Sequence, residues 1–171
     1  MDSVTTDRKE ALSQWGDWLS THWDWDLFVT LTHDNSEAAL GRGTRTIVGW
    51  SASSDRWDQW LDESVIPRIR RSAGGLPGSP YWVRGREPNP WRKGTHFHAL
   101  IGGVGDIDRR AIWRDWFAQP EDGGLGFGLA RILPYEPSRG AAHYLTKYVV
   151  KDLGDIVFSG NLKANERVQI A

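Results

Sequence analysis

Two strand-like segments, Tyr81 to Glu87 and Thr95 to Gly102, flank a short stretch punctuated by Pro88, Pro90 and Gly94. Runs of this length and composition on either side of such a turn predict a β-hairpin. A hairpin in the middle of the chain commits it to an antiparallel sheet. Every other segment is then read as a strand that extends the sheet or a helix that covers it.

Ahead of the hairpin, Ala11, Leu12, Trp15, Trp18 and Leu19 recur at helical spacing and predict an amphipathic helix over about 7–21. Trp25 to Thr32 is β-branched and aromatic and predicts a buried strand. From about 44 to 71, Ile47, Trp50, Trp57, Trp60, Leu61, Val65 and Ile69 keep roughly helical intervals, with Ser51 to Ser54 as an interruption and Pro67 as a kink. Residues 72–80 (SAGGLPGSP) read as a surface loop. Beyond the hairpin come a helix over about 108–118, a strand within 124–133 and a helix over 139–151. This order predicts an α+β fold, an antiparallel sheet with helices packed on it. A length of 171 residues suits a single domain, with a helix at about 7–21, a core over about 25–155 and a short C-terminal tail.

The chain has no cysteine, so disulfides and thiolate metal sites are excluded and any metal ligand must be His, Asp or Glu. It has no run of 18 apolar residues and no basic-then-apolar opening, which predicts an intracellular, cytoplasmic protein without a membrane partner. The net charge of −1 hides an asymmetry: residues 1–66 carry 5 basic and 12 acidic side chains, residues 67–171 carry 16 and 10. Between 67 and 93, Arg68, Arg70, Arg71, Arg84, Arg86, Arg92 and Lys93 stand against Glu87 alone. The block predicts a basic face for phosphates with the acidic 1–66 packed away from it, although ordinary solvated positions would leave the same signature. Six of the 11 tryptophans form W-x-x-W pairs (Trp15/Trp18, Trp57/Trp60, Trp113/Trp116), whose spacing puts both rings of a pair on one helix face, as core.

Three elements carry chemistry. His96 and His98 are two apart in a predicted strand, so their side chains share a face about 6.5 Å apart along it and both reach one ion, while Phe97 points into the opposite layer. Glu87, across the hairpin from His96, adds a carboxylate to give two imidazoles and one oxygen ligand, a set suited to Mn²⁺ and less ideally to Mg²⁺. An ion pair with Arg84, Arg86 or Arg92 would occupy the same carboxylate. Thirdly, on a helix over 144–151, Tyr144, Tyr148 and Lys151 fall on one edge, beside an apolar stripe of Ala142, Leu145 and Val149. A phenol is a weak nucleophile at neutral pH and needs an electrophile sharpened by a metal and a nearby cation. Lys147 and Lys151 supply the cations.

In order and spacing, FVTLT (28–32), Glu87 with GTHFHALIGG (94–103), and YLTKYVVK (144–151) resemble the three motifs of the HUH endonucleases, and most closely those of the rolling-circle replication initiators (Rep) of plasmids and small phages. The resemblance spans about 25–155. It implies a central five-stranded antiparallel sheet flanked by helices, with the histidines on a central strand. It also implies cleavage of single-stranded DNA by tyrosine attack, leaving a 5′-phosphotyrosine and a free 3′-OH. Residue by residue, His96 and His98 match the paired metal ligands and Glu87 the polar third ligand. Tyr148 matches the nucleophile, because Lys147-Tyr148-Val149-Val150-Lys151 follows the K-Y-x-x-K pattern of single-tyrosine initiators. Tyr144 stands where two-tyrosine initiators keep a second reactive phenol, and Lys151, with Lys147, would assist near the scissile phosphate.

The implied partner is single-stranded DNA at a replication origin or similar nick site, with Mn²⁺ or Mg²⁺ as cofactor. Arg84, Arg86, Arg92, Lys93, Arg109, Arg110 and Arg114 are expected to hold the DNA. No G-x-x-x-x-G-K-[ST] run is present, so unwinding would fall to a host helicase. A transposase or mobilisation relaxase would share the chemistry and differ in substrate. A single-stranded DNA-binding protein without turnover would keep the sheet alone.

Overall fold

Leu27–His33 (β1) alternates buried and half-buried side chains along its length, the two-residue period of a strand whose faces meet different neighbours. It pairs antiparallel with Thr95–Gly102 (β3) on one side and Gly128–Pro134 (β4) on the other. Tyr81–Pro88 (β2) and β3 form the expected hairpin, and Asp155–Phe158 (β5) pairs with β2. The sheet therefore has five strands in the order β4-β1-β3-β2-β5, all antiparallel, with β3 at the centre. In this computed structural model the residues described are 3–33, 50–72, 79–88, 95–118, 120–142, 144–145 and 155–166.

Every side chain of β3 is buried, because helices cover the sheet from both sides. On one face Leu27, Val29 and Leu31 of β1 and Phe97, Ala99 and Ile101 of β3 pack against Trp57 and Trp60 of Trp50–Trp60 (α2) and Ile112 and Trp116 of Arg109–Phe117 (α4). On the other face Tyr81, Val83 and Leu100 meet Leu19 of Ser3–His22 (α1) together with Ala141, Ala142 and Leu145. The last three lie in a helical stretch, with Tyr144 N–H donating to the Gly140 carbonyl at 2.8 Å. Ala142 and Leu145 are fully buried, as the apolar stripe requires, while Val149 lies outside the described residues. The Tyr81 ring crosses its register partner Gly102, where any side chain would collide with it, and the Tyr81 hydroxyl donates to the Asp24 carbonyl.

The structure corrects the sequence reading at several points. The five antiparallel strands that the resemblance implies are present, but the residues by themselves mark only four: β5 falls at the expected end of the core, near 155, and four residues are too few for a two-residue period to register. Ser51 to Ser54 do not interrupt α2 but lie within it. The helix widens to a π-turn at Leu61–Val65, with Ile66 N–H bonding to the Leu61 carbonyl, before Ile66–Ser72 (α3) resumes. Pro67, which has no N–H to donate, follows that widened turn directly. Of the tryptophan pairs, Trp57 and Trp60 are both fully buried, whereas Trp113 is 40% exposed beside a buried Trp116. Positions three apart differ by about 60° around a helix, enough to split a pair between core and solvent.

Candidate metal centre

The β2–β3 register sets Glu87 opposite His96 and Gly85 opposite His98. Directly opposed residues on neighbouring strands project to the same side. Glu87, His96 and His98 therefore share one face, as the hairpin reading requires. Glu87 Oε1 lies 2.7 Å from His96 Nε2 and 3.8 Å from His98 Nε2. One ligand atom from each residue lies within 4.8 Å of the others. Both histidines are buried and Glu87 is half-buried, so the three donors converge where competing water is scarce.

Thr30 lies across from His98 on β1, and its Oγ1 is 3.0 Å from His98 Nδ1. That contact engages Nδ1 and turns Nε2 toward Glu87, the arrangement by which an outer hydrogen bond fixes the ring of a metal-ligating histidine. The Phe28 ring stacks near His98 at 6.2 Å between centroids. Two imidazole nitrogens and a carboxylate oxygen, with one imidazole held by a hydroxyl, fit a divalent first-row cation or Mg²⁺.

Tyr144 is 42% exposed and meets the His98 ring edge to face, 4.9 Å between centroids. One of the two candidate phenols is thus at the ligand cluster. Tyr148, Lys147 and Lys151 lie outside the described residues, as do Arg92 and Lys93.

Arg84 and Arg86 belong elsewhere. They alternate with Glu87 along β2, so they project from the opposite face, and both are buried. Arg84 lies over the rings of Trp57, Trp82 and Phe97 at 5.4, 5.3 and 4.9 Å and donates to Ser54 Oγ. Arg86 donates to Ser53 and Ser54 Oγ at 3.2 and 2.9 Å. They are core cations bound to α2, which corrects the expectation that they hold DNA. It also corrects the expectation that residues 1–66 pack away from the basic block. For the same reason neither pairs with Glu87. Arg68 is held at 2.7 Å by Asp115, and its guanidinium also donates to the Ser64 carbonyl. Arg109, Arg110 and Arg114 are exposed on α4, in the layer opposite the histidines.

Two residues on the metal face escape the sequence reading. Thr30 sits inside a hydrophobic strand motif, where only the register with His98 discloses its role. Arg131 is exposed on β4 in register with Thr30, and hence on the same face as His98 one strand further in. The alternation of GLARILP in β4 was its one available signal. No protein-family model, curated protein or solved structure matches this chain.

Proposed function

We propose that this protein is an HUH-type single-stranded DNA endonuclease and strand transferase that nicks and rejoins DNA through a 5′-phosphotyrosine, acting at a replication origin. The observation that carries the reading is the convergence of Glu87, His96 and His98 on the central hairpin beside the phenol of Tyr144. Those three side chains would hold one Mn²⁺ or Mg²⁺ ion, which when bound polarises the scissile phosphate. The chain supplies the rest. A tyrosine oxygen, that of Tyr148 by its K-Y-x-x-K setting, attacks phosphorus and loses its proton as the O–P bond forms. The bond from phosphorus to the 3′-oxygen breaks, and that oxygen takes up a proton to leave as a free 3′-OH. Joining is the reverse, with a 3′-OH displacing the tyrosine. Lys147 and Lys151 offset the charge that builds on the phosphate oxygens, and Tyr144 offers a second phenol for a second transfer.

Incubation with a pool of single-stranded oligonucleotides in Mn²⁺, read as covalent adducts on a denaturing gel, tests this. Adducts are expected with the wild type, and none with H96A/H98A or Y148F. Peptide mapping is expected to locate the nucleotide on Tyr148. A label confined to Tyr144, with Y148F fully active, would reverse the order of the phenols. Adducts that persist in chelator with H96A/H98A would remove the metal from the chemistry.

A further inference from the structure

We propose that single-stranded DNA runs from the metal face over the β4 edge of the sheet and is gripped on α4 by the stacked rings of Trp113 and Phe117, flanked by Arg109 and Arg110. This deepens the nicking reading and rests on it. Trp113 and Phe117 are 40% and 44% exposed, and their rings stack 5.2 Å apart at 15°. Large apolar side chains on a short helix are normally buried, as Ile112 and Trp116 of the same helix are. Trp113 is not loose, because its Nε1–H donates to the Ala130 carbonyl of edge strand β4 at 2.9 Å. A ring pinned in place loses little freedom when a base stacks on it.

Beside this pair, Ile107, Asp108, Arg109, Arg110, Trp113 and Ile132 line a groove of about 530 Å³. The Asp108 carboxylate is already engaged, accepting from Arg110 N–H and Ala111 N–H at 3.0 and 3.1 Å as the helix cap. With those amides satisfied, attraction for phosphate comes from the arginine side chains. Arg131 continues the positive charge on the metal face, in register with Thr30 and, through it, His98. Exposed aromatics interleaved with arginines suit unpaired bases on a charged backbone. A duplex hides its base faces from such rings. A second copy of this chain would set the arginines against one another.

The probe is fluorescein-labelled dT30, followed by anisotropy in chelator so that no cleavage intervenes. F117S is expected to weaken binding on the order of 10-fold with an unchanged salt slope, and F117W to restore it. R109Q/R110Q is expected to flatten the plot of log affinity against log salt by about 1.4, roughly 0.7 for each lost contact on a single strand. Thermal melts by circular dichroism show whether each variant is folded, and Phe117 is exposed enough for F117S to remain so. Wild-type affinity for dT30 in folded F117S would overturn the proposal. So would loss of a dimer in sedimentation velocity without any change in dT30 affinity, which would make the strip a self-interface. Absence of the Mn²⁺ adduct with wild-type protein would defeat the nicking reading instead, and leaves the dT30 comparison to decide this one.

Discussion

At the candidate metal centre the Thr30 hydroxyl holds His98 by its Nδ1 edge. Thr30→Val keeps the shape and removes that partner, so Mn²⁺ affinity should fall by about 10–100-fold, whereas Thr30→Ser should keep it; calorimetric titration with Mn²⁺ distinguishes the two. His33 is the opposite kind of histidine. It lies between the rings of Phe97 and Trp116, 5.5 and 5.4 Å away, and neither ring nitrogen has a hydrogen-bond partner among the described residues. Burial, with added repulsion from Arg56 and Arg86, pushes its pKa down from 6.5 to about 3. Between those values the unfolded chain binds a proton that the folded chain refuses, so stability is lost as pH falls from about 6.5 toward about 3. His33→Leu should make the stability profile shallower by about 1.4 kcal/mol per pH unit over that window. Urea unfolding between about pH 4 and about pH 6 measures this, and an unchanged slope would mean His33 is not the buried proton site.

The strand β2 shows how one element serves two purposes. Its even and odd positions face different layers, so Glu87 joins the histidines while Arg84 and Arg86 enter the core beneath α2. Arg84→Met, which keeps the apolar stem, should lower stability on the order of 2 kcal/mol through lost ring contacts and a lost hydrogen bond. It should leave the salt dependence of DNA binding as it was. Denaturant unfolding and a salt titration separate the outcomes, and a slope flattened by about 0.7 would return Arg84 to the phosphates. The helix α4 divides its labour by angle in the same manner. Ile112 and Trp116 are buried, and Trp113 and Phe117 are exposed.

For the molecule as a whole, an ion that binds only the folded chain must raise its stability, by about 2.7 kcal/mol at a hundred times its Kd. In a domain of this length, Mn²⁺ at that level should raise Tm by about 5–10 °C, chelator should reverse the rise, and H96A/H98A should show none. An equal rise in that variant would put the ion elsewhere. The residues alone determined the hairpin, its side-chain alternation and hence the shared face of Glu87, His96 and His98, because strand period and turn position are local properties. They also placed the helices near 7–21 and 108–118, where apolar spacing is unambiguous, against α1 at Ser3–His22 and α4 at Arg109–Phe117. Only tertiary structure decided that Asp155–Phe158 is the fifth strand, that Thr30 meets His98, and that Arg84 and Arg86 are core cations. Each depends on which distant segment lies alongside: β5 on β2, β1 on β3, α2 on the sheet. Charge counts and short apolar runs carry no information about the partner that burial will supply.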